Sequence, residues 1–229
     1  METHSEDGRT GLNAKHADFI KAQTEILSPP LVPEVRLHLA HESVPLWQKT
    51  EEELGEMGLA PPFWAFAWAG GQALARYILD HPQIVRGKSV IDLASGSGLV
   101  GIAAMKAGTK SVLAADIDLF SATAIALNAS LNETAISVTT EDLLASPLPH
   151  ANILLIGDLF YEKSLAARVF QFAEAAQAKG MTVLIGDPGR SYLPMDKLEK
   201  CAEFSVPVSR DLEDAEIKRS AVWQLRQNY

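Results

Sequence analysis

One cysteine, Cys201, is all the thiol chemistry that this chain of 229 residues carries. A lone cysteine excludes an internal disulfide and any cysteine-built metal cluster, and it fits a reducing compartment. Positive charge is also in short supply. Twenty Lys and Arg stand against 29 Asp and Glu, for a net charge of −9. That balance offers no attractive field to nucleic acid and suits a basic or lysine-bearing partner. Long uncharged apolar runs are missing, so no segment reads as a membrane span. The stretch Met1 to Lys15 is polar and of mixed charge. It lacks the apolar core of a signal peptide and the acid-poor, Arg-rich character of a transit peptide, so a cytoplasmic location is expected. His38 and His41 have no third ligand at a useful spacing, and no metal is expected.

What the chain does have is apolar substance. Hydrophobic residues make up 47% of its 229 residues, enough for one large α/β domain and with little room for two full ones. Residues 1 to 12 are expected to lack order. Phe19, Ile20, Ile26 and Leu27 predict a helix from Asn13 to Leu27, ended by Ser28-Pro29-Pro30. Val35 to Leu39 alternates like a half-buried strand, and Glu51 to Met57 suits a short helix. The expected division is an N-terminal extension over residues 1–60 and a main domain over residues 61–229.

From Pro61 the pattern changes. Pro61-Pro62 breaks the chain before an aromatic segment, Phe63 to Gly71, and a helix is predicted from Gln72 to Leu79. Strands then alternate with helices. The strands are Ser89–Leu93, Ser111–Ala115, Ser137–Thr140, Asn152–Gly157 and Met181–Gly186. The helices between them are Leu99–Ala107, Leu119–Leu131 and Lys163–Ala178. Continuously apolar strands in this alternation predict a parallel sheet covered on both faces. At the C-terminal end a helix is expected around Met195 to Cys201. Glu203–Val208 and Ala221–Arg226 then predict an antiparallel hairpin.

The chemistry concentrates at the turn Asp92-Leu93-Ala94-Ser95-Gly96-Ser97-Gly98, between a strand and a helix. Glycines there let the backbone pass close to a ligand, and the helix N-terminus offers free N–H groups. The letters Gly96 to Gly101 also satisfy the dinucleotide fingerprint, with Asp116 twenty residues beyond Gly96. Letters alone therefore admit a nicotinamide oxidoreductase as well as a methyltransferase. Charge separates the two. Asp92 would repel a pyrophosphate, but it suits S-adenosylmethionine, a net cation. Asp116, Asp118, Asp142 and Asp158 fall at other strand ends, which in an open parallel sheet share the ligand-binding edge. On this reading Asp116 meets the ribose hydroxyls and Ile117 lies against the adenine. Asp142 either accepts from the adenine amino group or caps a helix, two readings that stand level. Asp118 reads as the cap of the next helix. Trp68 is a candidate wall for the methionine end of the cofactor, with Trp64 beside it. Core packing is the competing role for both rings.

The alternation from Ser89 onward resembles the seven-strand class I methyltransferases. Gly96 and Gly98 match that class's first motif, and Ala94 stands where many members carry a glycine. Asp158-Leu159-Phe160-Tyr161 resembles the Asp/Glu-x-x-Tyr/Phe signature of its protein-lysine branch. Pro61 to Tyr77 and Val32 to Leu37 are similar to the electron-transfer flavoprotein β-subunit lysine methyltransferases. The resemblance spans roughly residue 30 to the C-terminus. It implies a Rossmann-like seven-stranded, mostly parallel sheet with helices on both faces and a C-terminal antiparallel hairpin. It also implies S-adenosylmethionine as cofactor and a protein substrate, the flavoprotein β subunit, with a ribosomal protein or a small metabolite as alternatives.

Asp158 is then the candidate that binds and orients the incoming ammonium, with Tyr161 as a wall, against a structural reading of helix cap and buried ring. Asp187-Pro188-Gly189-Arg190 either shapes the substrate mouth or is a plain turn. A degenerate fold that only binds a partner is a further alternative, disfavoured by the intact acids. Nucleic-acid methylation is disfavoured by the absence of an Asn-Pro-Pro-Tyr turn and of a basic stripe.

Overall fold

The structure is a computed structural model, and it describes residues 5–40, 61–208 and 217–226. The expected helix over Glu51–Met57, His41 and most of the loop joining the C-terminal strands lie outside these residues. Five α-helices are described: α1 (Ser5–Gln23), α2 (Ala69–Asp80), α3 (Leu99–Lys106), α4 (Leu119–Leu131) and α5 (Lys163–Ala178). The first strands are β1 (Glu25–Leu27), β2 (Leu37–Leu39), β3 (Ser89–Leu93), β4 (Ser111–Ala115) and β5 (Ser137–Thr139). They are followed by β6 (Ile153–Gly157), β7 (Thr182–Asp187), β8 (Leu198–Pro207) and β9 (Ile217–Leu225).

Seven of the strands form one sheet in the order β5-β4-β3-β6-β7-β9-β8. The pairs from β5 to β7 are parallel, while β9 runs antiparallel to β7 and to β8. This is the expected Rossmann-like sheet with its C-terminal hairpin. Its strands read as unbroken apolar runs because consecutive side chains serve opposite layers. Ile153 and Leu155 pack with Leu74 and Ile78 of α2 and Ala104 of α3. Leu154 and Ile156 pack with Val169, Phe172 and Ala173 of α5. All four β6 side chains are fully buried, so either face left bare would expose a stripe of large aliphatic groups.

Two segments differ from expectation. The first helix begins at Ser5, inside the stretch expected to lack order, and stops at Gln23. The Thr24 hydroxyl donates to Ile20 O at 2.6 Å and closes it. Glu25–Leu27 then pairs antiparallel with Leu37–Leu39, and this pairing takes residues that the apolar spacing had assigned to the helix. The helix expected around Met195–Cys201 is a 3-10 turn over Met195–Lys197 followed directly by β8. Ladder pairing with β9 overrides helical spacing here, and a register shift between Lys200 and Ala202 accommodates Cys201.

α2 approaches the sheet unusually closely. A Cβ on Gly70 would run into the backbone of Gly186, and one on Gly186 would run into Gly70 and Leu74. Backbone therefore lies on backbone where α2 begins, just above the ends of β6 and β7. Gly186→Ala should lower stability by about 1–3 kcal/mol in urea unfolding, the usual cost of overpacking. An unchanged midpoint would show that α2 does not sit this close.

Candidate active site

The carboxyl ends of the parallel strands open into a cavity of about 510 Å³. Asp92, Asp116, Asp118, Asp142 and Asp158 all line it. The volume lies in the range of small-molecule and cofactor sites.

The turn after β3 forms one wall. Its backbone runs through positive φ at Ala94 (50°), Gly96 (55°) and Gly98 (83°). Glycine adopts that region freely, whereas Ala94 does so at a cost of roughly 1–2 kcal/mol. The turn is tied down from several sides. The Asp92 carboxylate accepts from the Ser95 hydroxyl at 2.5 Å and from Gly101 N–H of α3 at 2.9 Å. Gly96 N–H donates to Asp116 at 2.9 Å. Buried Asn128 of α4 donates to Ser97 O and accepts from His38 N–H of β2, each at 2.7 Å. The N-terminal strand is thus bonded through one amide to the glycine turn.

Burial pushes the Asp92 carboxyl up to about 6, with Asp116 adding to the rise and the Ser95 and Gly101 donors opposing it. Burial also raises Asp116, whose two oxygens accept from Gly96 N–H and Asp118 N–H. Ile117 beside it is 72% exposed and forms an apolar rim. Asp118 caps α4 through Phe120 N–H and Ser121 N–H, as expected. Asp142 accepts from Leu144 N–H at 3.0 Å and pairs with Arg168 of α5 at 2.7 Å. It therefore caps a turn and lines the cavity at once.

Just after β6, the strand beside β3, Asp158 also lines the cavity, 8% exposed and at a φ of 56°. Its N–H is bonded to Gly186 O at 3.0 Å, and one carboxylate oxygen accepts from Gly71 N–H of α2 at 2.8 Å. The other accepts from the Arg190 guanidinium at 3.0 Å. Burial lifts the Asp158 carboxyl to about 6, with Arg190 pulling it down and Asp187 pushing it up. Tyr161 lies on the same turn, half exposed, with its hydroxyl raised by burial.

The aromatic segment divides. Trp68 lines the cavity, its Nε1–H donating to Phe63 O at 3.0 Å and its ring centroid 5.8 Å from the Arg190 guanidinium carbon. Phe63 lies 6.0 Å from both Trp68 and Tyr161, ring to ring, and completes that wall. Trp64 instead packs in the core against Phe120, and Phe160 is fully buried in the main core.

Arg190 is the residue whose place was hardest to foresee. The sequence admitted a plain turn or a substrate mouth with Arg190 facing an acidic patch of the partner, whereas in the structure its guanidinium bonds this chain's own Asp158. The signal was Asp187, whose carboxylate accepts from Gly189 N–H and Arg190 N–H, each at 2.7 Å, and fixes the turn's direction. Asn128 gave no sequence signal at all, since its bonds join elements 31 and 90 residues apart.

Residues 73–157 match the family model of ribosomal protein L11 methyltransferase. Over far more of its length the chain is similar to another group. It is 38% identical over 211 residues to the electron transfer flavoprotein β subunit lysine methyltransferase of Xenopus laevis, covering 90% of this chain and 85% of that protein. To the protein of the same name from Rattus norvegicus it is 35% identical over 219 residues, covering 93% and 85%. Among solved structures, magnesium protoporphyrin IX methyltransferase from Synechocystis PCC 6803, with bound S-adenosylmethionine, superposes with a TM-score of 0.51. That match covers 68% of this chain and 78% of the other at 11% identity, a likeness of fold.

Burial of Asp92 has a measurable consequence. A carboxyl raised from 3.8 to about 6 favours the folded state below pH 4, and this contribution is lost as pH rises through 6. The stability of the native protein relative to Asp92→Asn should therefore fall by on the order of 2–3 kcal/mol between pH 4 and 7. Urea unfolding across that range checks this, and a difference that grows with pH would mean that Asp92 is not desolvated.

Proposed function

This chain belongs to the electron transfer flavoprotein β-subunit lysine methyltransferase family, and on that premise we propose that its substrate is an electron transfer flavoprotein β subunit. It is an S-adenosylmethionine-dependent enzyme that methylates protein lysine. The family match to ribosomal protein L11 methyltransferase is confined to residues 73–157. That segment runs from within α2 to the end of β6, with the glycine turn, and so speaks to the cofactor. Similarity to the β-subunit enzymes extends over the remaining segments as well, and this is the observation that carries the choice of substrate.

The residues present suit such a cofactor. The cavity joins carboxylates to apolar and aromatic walls, as a cationic, adenine-bearing ligand requires. In our reading Asp116 holds the ribose hydroxyls, Ile117 covers the adenine and Asp142 accepts from its amino group. Asp92, Ala94, Gly96 and Gly98 shape the wall at the methionine end, with Trp68 across from them. When bound, S-adenosylmethionine supplies a methyl group activated by its sulfonium.

The chain's own task is to deliver a neutral amine in line with that methyl group. A free lysine has a pKa of about 10.4, so deprotonation at pH 7 costs roughly 4–5 kcal/mol. Asp158, held by Gly71 N–H at the cavity edge, receives and orients the ammonium. Phe63, Trp68 and Tyr161 exclude water around it and weaken its hold on the proton, which passes to solvent. No strong base is needed.

Purified β subunit incubated with the enzyme and labelled S-adenosylmethionine should gain methyl groups on lysine, read by mass spectrometry. Label that reaches another protein of a deletion-strain extract but never the β subunit would overturn this choice. Asp158→Asn should lower kcat/KM by roughly 10²-fold, the scale of a misplaced reacting group, while calorimetry still detects cofactor binding. Full activity in that variant would remove Asp158 from the reaction centre.

A further inference from the structure

The arrangement around Asp158 contains more than lysine binding requires. Two buried carboxylates stand at the ends of adjacent strands, Asp158 just after β6 and Asp187 at the end of β7, and the Arg190 guanidinium bonded to the first lines the cavity with it. Arg190 is 20% exposed, and its Nη2 sits 3.0 Å from Asp158 Oδ1. Asp187 fixes the Arg190 backbone, and the guanidinium lies near the Trp68 ring. Arg190 also lines a second cavity of about 290 Å³, shared with Tyr161, Ser191 and Lys218, so it stands at the junction between the cofactor cavity and the surface beyond.

We propose that Arg190 is a positioning residue for methyl transfer: it keeps the Asp158 carboxylate ionised and aimed at the cavity, and it yields that carboxylate to the substrate ammonium as the lysine docks. This rests on the reading of Asp158 given above. The contact supports it, because a 3.0 Å ion pair between a buried carboxylate and a guanidinium favours the ionised acid. Without Arg190, the buried Asp158 carboxylate would lose the guanidinium bonded to it while Asp187 still raises its pKa, and the cheaper outcome is its protonation. A protonated Asp158 is a poor partner for an ammonium ion. Among the described residues, the other groups around Asp158 do not replace the guanidinium. Gly71 N–H of α2 is a single neutral donor, and Tyr161 on the same turn has its hydroxyl raised by burial, by Glu162 and by Asp116. Lys218 of β9 lines the second cavity, beyond Arg190.

The test compares the full-length native protein with Arg190→Met, Arg190→Lys and the double variant Arg190→Met with Asp158→Asn. The first readout is stability against pH, which needs neither cofactor nor substrate. The native Asp158 carboxyl, raised to about 6, stabilises the fold at low pH and loses this contribution as pH rises through 6. In Arg190→Met the loss should extend upward by about one pH unit or more, the scale of an opposite charge beside a carboxylate. Arg190→Lys should restore most of the native profile, and the double variant should abolish the shift. The second readout is kcat/KM on the β subunit, whose acid limb should move up by the same interval in Arg190→Met. Cofactor affinity at pH 8.5 should be retained in that variant. Identical pH profiles in the native protein and Arg190→Met would overturn the proposal. So would loss of cofactor binding at every pH, which would make Arg190 a cofactor ligand instead. A native enzyme inactive on the β subunit would count against the substrate choice alone and leave the stability readout standing.

Discussion

Carboxylates gathered at one edge of a sheet repel one another, and burial makes each of them harder to ionise. What lets them share a cavity here is a backbone N–H on each. Asp92 accepts from Gly101, Asp116 from Gly96 and Asp118, Asp142 from Leu144, and Asp158 from Gly71. Most of these donors sit at or near the starts of helices and turns, where N–H groups have no intrahelical partner. The elements that would otherwise leave donors unmet thereby hold the acids in place. Each acid in turn fixes an element of the cavity wall: Asp92 and Asp116 the glycine turn, and Asp158 the start of α2.

The other devices follow from this constraint. α2 must come down onto β6 and β7 for Gly71 to reach Asp158, and Gly70 against Gly186 permits that approach. The glycine turn must hold positive φ at three positions, and Asn128 braces it from behind. With the acids anchored, the cavity keeps a negative lining between apolar walls, which favours a cationic ligand over a pyrophosphate. Arg168 and Arg190 sit at separate places on the wall, each bonded to a different acid.

Much of this was legible in the sequence, because strand, glycine turn and helix follow one another within a short span. The parallel strands, the turn from Asp92 to Gly98 and the acids after each strand are local patterns of spacing and polarity. The parts that were not legible depend on contacts distant in sequence. The helix expected around Met195–Cys201 gave way to β8 because β9 offers a ladder that spacing within the segment cannot reveal. Trp64 and Trp68 look alike as letters, yet one packs into the core and the other lines the cavity, since only the fold says which way each faces. Asp142 was read either as a helix cap or as an adenine acceptor; no helix follows it directly, its carboxylate bonds a turn N–H instead, and it lines the cavity.

The central claim is that an anchored set of carboxylates selects a cationic cofactor at a turn whose letters would equally admit a dinucleotide. Titration calorimetry of the full chain with S-adenosylmethionine and, separately, with NADH addresses it most directly. Saturable binding of S-adenosylmethionine with no heat from NADH is the predicted result. Binding of NADH without S-adenosylmethionine would contradict the account at its base.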